Sequence, residues 1–150
     1  MSSEFNLARF LDAQKNSYKI ALSELRSGKK QSHWIWYIYP QLKGLGRSAI
    51  SEFCGLESLA EARAYLANPI LGSRLEGSIE AMLAHLPQTA SSILGELDAL
   101  KLRSSLTLFS IADPSNSIIA IALERFFAGE RDVRTIELLK IAAKFNKIIG

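Results

Sequence analysis

Cysteine is nearly missing from this chain: Cys54 is the only one in 150 residues. A single thiol forms no internal disulfide, which points to a reducing compartment. Histidine is almost as scarce, with only His33 and His85. Two imidazoles and one thiol cannot build a usual zinc site, so no metal is expected. No apolar run approaches the ~18 residues of a membrane span. The opening MSSEFNLARFL has no basic stretch followed by an apolar one, so no signal peptide is expected. Charge of one sign is not in excess either. Eighteen Lys and Arg face 15 Asp and Glu, a net charge of +3 with a pI near 9.1. That is well short of a strongly basic nucleic-acid binder, so no nucleic-acid polymer is expected as a partner. HExxH, a nucleophile elbow and paired carboxylates at a telling spacing are all missing. The expectation is a cytoplasmic protein without a cofactor.

What is present is a foldable chain. Hydrophobic residues make up 48%, enough for one domain over 1–150 with a real core. From Leu7 the apolar residues fall at helical spacing through Leu25, with Asn6 as a cap and Gly28 as a stop. Gln14 is a polar intruder on that stripe and needs a partner. Ser32 is positioned to cap a helix over 33–39, which Pro40 ends. That segment also suits a strand by propensity, but no second strand of matching pattern exists to pair with it. Further helices are predicted from Ser48 to about Cys54 and from Leu59 to Ala67, the latter behind a Ser58/Glu61 capping box. Another runs from Pro69 to Leu86 behind Asn68. Gly72 and Gly77 inside it point to close packing rather than a break. Ser91 to Gly95 reads as a single turn. The last three helices run from an Asp98 cap to Ile111, over Ser117–Ala128, and from an Asp132 cap to about Lys147. The reading is an all-α, single domain of seven or eight helices.

The stretch SHWIWYIYPQLKGLGRS, Ser32 to Ser48, holds both tryptophans and two of the four tyrosines. The plain reading is that these rings fill the core. The sharper one is that Trp36 and its neighbours wall a pocket where a base or sugar could stack, Gln41 contributes polar contacts, and His33 acts as acid or base. The loop that follows offers Lys43, Gly44, Gly46, Arg47 and Ser48. Free backbone N–H groups ahead of a helix, with a basic side chain, suit a phosphate or carboxylate. The spacing matches neither the P-loop nor the dinucleotide fingerprint, and a turn that simply needs glycine has the same appearance. In the helix LKLRSSLTLF, Arg103 and Ser104 sit among leucines. A guanidinium there needs an acidic or anionic partner, with Asp12, Glu52, Asp98 or a ligand as candidates.

FLDAQ at Phe10 to Gln14, the SHWIWYIYPQLKGLGRS segment, SLAEARAYLANPILGSRL at Ser58 to Leu75, and DALKLRSSLTLF at Asp98 to Phe109 together resemble domain-of-unknown-function family 1810, some members of which are labelled calpastatin. Four blocks in order cover nearly the full chain. The resemblance implies a mainly helical bacterial domain and no established activity. The order of aromatic helix, Leu-Ala-Asn-Pro-Ile-Leu segment and polar central helix is also faintly similar to an N-glycosidase family acting on ADP-ribose and riboflavin intermediates. It bears on ligand class alone, because the catalytic acid of that chemistry has no counterpart here.

These residues support two functional readings. In one, His33, Trp36, Gln41, Gly44, Gly46, Arg47, Ser48, Arg103 and Ser104 gather around a small anionic ligand such as a nucleotide or sugar phosphate. In the other, the domain is a non-catalytic binding or scaffold module and these residues form a polar network that fixes the core.

Overall fold

The computed structural model describes residues 5–149, with side chains to residue 145. The expectation for Met1–Glu4 lies outside the described residues, as do the last side chains of the final helix. Among the described residues ten helices follow one another: α1 (Ala8–Gln14), α2 (Tyr18–Ser27), α3 (Ile35–Ile38), α4 (Ala49–Cys54), α5 (Leu59–Ala67), α6 (Pro69–Leu83), α7 (Ala90–Leu94), α8 (Glu96–Ala112), α9 (Ser117–Phe127) and α10 (Val133–Ile149). Among the described residues there is no strand, only an isolated parallel bridge between Leu42 and Leu56.

The all-α class stands, but the count is ten rather than seven or eight. Two differences account for it. The helix expected from Leu7 to Gly28 is two, because Ser17 Oγ donates back to the Ala13 carbonyl at 2.5 Å and the ladder restarts at Tyr18. This is a hydroxyl competing with the backbone for a carbonyl. The turn expected at Ser91–Gly95 is the complete helix α7, capped by Thr89, whose Oγ1 accepts from Ser92 N at 3.0 Å.

Other boundaries move for local reasons. The helix expected over 33–39 shrinks to α3 because Ser32 does not cap it; its hydroxyl donates to Glu24 instead, at 2.5 Å. Helix α8 begins at Glu96 behind Gly95 (φ +89°), so Asp98 lies in its first turn and does not cap it. Helix α6 ends at Leu83 instead of Leu86. Ser48, Ser58, Asn68 and Asp132 do accept from backbone N–H groups of the helices they precede. Gly72 and Gly77 do not break α6. A Cβ at Gly72 would lie 2.3 Å from the Leu66 carbonyl oxygen, and one at Gly77 3.1 Å from the Tyr18 hydroxyl. Both are close-packing positions.

Helix α8 runs through the middle, packed by α3, α5, α7, α9 and α10. Every residue from Ser104 to Phe109 is buried, so the helix has no solvent face there. Two of its buried hydroxyls return to its own carbonyls, Ser104 Oγ to Leu100 at 3.2 Å and Thr107 Oγ1 to Arg103 at 2.7 Å, while Ser105 Oγ has no partner among the described residues. Around it Tyr65 sits edge-on to Phe10, with centroids 5.1 Å apart, and tilted against Phe109 at 5.4 Å. Trp34, Ile35, Ile38 and Tyr39 are buried in the same core. The aromatic stretch therefore serves packing first, leaving Trp36 and Tyr37 half-buried and His33 exposed.

Candidate functional site

Three polar networks surround the aromatic segment. Arg9 and Glu61 form a buried ion pair at 2.9 Å, with side chains only 8% and 1% exposed. Arg9 uses all five of its N–H donors: on Phe53 O, Asn6 O, Gly55 O and both oxygens of Glu61. Glu61 was expected to reach back to its own helix cap. It accepts from Glu57 N, one residue before that cap, and from Arg9. Gln14, the polar intruder, donates to Tyr37 O at 2.7 Å and Tyr65 Oη at 3.0 Å and accepts from Arg74 at 3.3 Å. Burial pushes the Tyr65 and Tyr39 phenols well above their ordinary pKa, against the pull of their hydrogen bonds. Burial likewise pushes the Cys54 thiol up, with the Arg9 charge pulling it partly back. A thiol so held is a poor nucleophile.

Glu24 organises the turn that leads into α3. It accepts from Gln31 N (2.7 Å), Ser32 N (2.8 Å), Ser32 Oγ (2.5 Å) and Trp34 Nε1 (2.9 Å). Partial burial lifts its pKa. The bonds from Ser32, from the Gln31 and Ser32 amides and from Trp34 outweigh that and hold the carboxyl at about 2. Lys30 lies between this turn and α8. Its ammonium is 2.9 Å from Asp98 and 5.0 Å from the Trp34 ring centroid. Asp98 also takes Lys101 at 3.4 Å, and Lys101 in turn lies 5.3 Å from the Trp36 ring centroid.

Beside this chain of contacts is a cleft of about 290 Å³ between the Gln41–Gly46 loop and α8, lined by Gln41, Gly46, Lys101, Arg103, Ser104 and Asp132 with a leucine rim. Leu97 and Leu100, on that rim, are 75% and 52% exposed. The loop wall is fixed by the parallel bridge: Lys43 N donates to Leu56 O and Leu56 N to Gln41 O, both at 2.8 Å. Asp132 is committed to capping α10, accepting from Thr135 N at 3.0 Å and Thr135 Oγ1 at 2.5 Å. Arg103 is not committed. Its Nε is buried and has no hydrogen-bond partner. Its Nη1 is 3.9 Å from Glu130, which is 76% exposed. Asp12, Glu52 and Asp98 were the candidate partners, and none of them pairs with it; Asp98 is taken by the two lysines.

Of the residues singled out in the sequence, Gln41, Gly46, Arg103 and Ser104 line this one cleft. Trp36 stands behind it, reached through Lys101. His33, Gly44, Arg47 and Ser48 are exposed and do not line it. The Ser48 hydroxyl is spent on capping α4, accepting from Ser51 N at 3.1 Å. Gly46 answers to packing: a Cβ there would fall 2.5 Å from Ser51 Oγ. Sequence reasoning missed Lys30, Asp98 and Glu24 as a unit. No local pattern flags them, since the partners come together only when α2, the 31–34 turn and α8 pack. Among the described residues no group of three His, Cys, Asp or Glu side chains could hold a metal ion. Likewise no helix among them is long and apolar enough to cross a membrane.

The fold and cleft define an all-helical protein built on one core around α8, with its open arginine at the edge of the central helix. The chain belongs to the family described as "Protein of unknown function (DUF1810)", whose profile matches residues 4–139. Its structure is similar to the crystal structure of the conserved hypothetical protein Rv1873 from Mycobacterium tuberculosis. The two are 39% identical with a TM-score of 0.89, over 92% of this chain and 99% of that one. No curated protein matches the chain.

Proposed function

We propose that the cleft between the Gln41–Gly46 loop and α8 binds a small anion of the sugar-phosphate class. The observation that carries this reading is Arg103, whose buried Nε has no partner. An unpaired buried donor costs stability unless something satisfies it, and a guanidinium suits phosphate or carboxylate. Lys101 adds a second positive charge, and Gln41 and Ser104 add polar groups on the same walls. At about 290 Å³ the space lies at the lower end of the ~300–1,000 Å³ of small-molecule sites. That favours a sugar phosphate over a whole nucleotide. His33 has no part in this reading, because it lies outside the cleft.

The test is thermal melting with ribose 5-phosphate and with orthophosphate, on wild type and on Arg103→Met. A ligand that binds the native state raises the melting temperature. The rise is expected in wild type and lost in the variant. No rise in wild type, or an equal rise in both, rejects the reading. The scaffold alternative draws on the closed Arg9–Glu61 and Glu24 networks, and it anticipates no rise with either probe.

A further inference from the structure

A second, larger hollow lies elsewhere on the molecule. It measures about 610 Å³ and lies between α2 and α6, lined by Gln14, Lys15, Tyr18, Lys19, Leu22, Ser23, Arg26 and Arg74. Four of these are cations and none is a carboxylate. Among the described residues none of the four is in an ion pair. An acid, Glu80, lines a neighbouring hollow that shares Arg26.

The cations are not scattered. Lys19, Leu22, Ser23 and Arg26 are spaced three, four and seven residues along one helical face, a stripe of about 10 Å. Arg74 faces it from α6 and is held in place from below. Gln14 is 1% exposed, is anchored by Tyr37 and Tyr65, and accepts one Arg74 Nη1 donor at 3.3 Å. The Tyr18 ring lies 5.1 Å from the Arg74 guanidinium carbon. The Tyr18 hydroxyl donates to the Arg74 carbonyl at 3.4 Å, and Gly77 leaves room for that approach. One Nη1 bond orients the guanidinium, and its remaining donors have no partner among the described residues. Tyr18 also registers the field: burial lifts its phenol, and the Arg74 and Arg26 charges pull it back.

We propose that this groove is a second anion site, separate from the cleft beside α8, and that it takes a phosphoanhydride chain. Charge decides the class. A single small anion would leave most of the four cations without a counter-charge, whereas a short chain of phosphates spreads several negative charges along the stripe. Two guanidiniums supply forked donors and two ammoniums supply point charges, the combination that suits phosphate oxygens. The chain can be free or the tail of a nucleotide.

Calorimetric titration of the full chain with tripolyphosphate, pyrophosphate and ADP tests this. Tripolyphosphate is expected to bind wild type with an affinity that falls as salt is added. The double variant Lys19→Gln/Arg26→Gln, altered at two exposed positions, is expected to bind it at least about tenfold more weakly with an unchanged melting curve. Arg103→Met is expected to bind it as wild type does, which separates this site from the first. ADP binding tighter than pyrophosphate identifies a nucleotide tail; equal affinity identifies the chain alone. The proposal is overturned if tripolyphosphate fails to bind wild type, if the double variant binds it undiminished, or if Arg103→Met abolishes binding. It is also overturned if duplex RNA binds through Lys19 and Arg26 while tripolyphosphate does not.

Discussion

Arg9 and Arg103 are both long cationic side chains on helices that pack into the core, and they are used in opposite ways. Arg9 has every donor satisfied and a buried carboxylate against it. Arg103 has an empty Nε and one distant, exposed acid. Burial of a charged group is tolerated where geometry completes its bonds. A cation left incomplete beside a cleft is available for something else. The same contrast separates the Glu24 turn, saturated with four donors, from the α2–α6 groove, whose four cations have no ion-pair partner among the described residues.

The largest effect is expected from removing Arg9. Arg9→Met leaves Glu61 buried and uncompensated, and stability should fall by about 3–5 kcal/mol in urea denaturation. Arg9→Met/Glu61→Met should recover much of that loss. A single variant that melts like wild type would refute the structural role given to the pair.

Glu24→Gln comes next, with an expected loss of about 1.5–3 kcal/mol at pH 7 from weakened charged hydrogen bonds. Because the folded pKa of about 2 lies below the ordinary 4.5, this stabilisation is full above pH 4.5. It fades as the pH falls through that window toward 2. Urea midpoints at pH 7, 4 and 3 should therefore converge for wild type and variant. A constant gap would contradict the assignment.

Arg103→Met keeps the side chain's apolar stem and removes an unsatisfied donor, so its stability should stay within about 0.5 kcal/mol of wild type. A loss near that of Arg9→Met would erase the distinction between the two arginines. The smallest effect is expected in the groove. Lys19→Gln relieves like-charge repulsion and should be neutral or stabilising by a few tenths of a kcal/mol in low salt, about the scale of one helical charge pair. The gain should shrink as salt is added.

The parts legible in the sequence were those set by neighbours in the chain. Ser48, Ser58, Asn68 and Asp132 cap the helices that follow them, and Gly28 adopts the left-handed conformation that stops α2. The parts that were not legible depend on distance. Glu61 lies 52 residues from Arg9, so its short-range reading as half of a capping box was overruled by a stronger charge. Ser32 looked like a cap until Glu24, eight residues back, claimed its hydroxyl. Gln41, Gly46, Arg103 and Ser104 were singled out for their chemistry, and their meeting in one cleft depends on packing. The basic groove was not among the sequence expectations: Lys19 and Arg26 share a helical face, but nothing local announces Arg74 opposite them.

The pairing of Leu42 with Leu56 has one more consequence. It ties off a lasso whose far side carries α4, so the backbone flanking Gln41 cannot swing outward unless two backbone hydrogen bonds break together. The Lys43 and Leu56 amides should therefore trade their protons for deuterium at matching slow rates, although neither residue lies in a helix. Leu97 and Leu100 stand exposed at the edge of that fixed backbone.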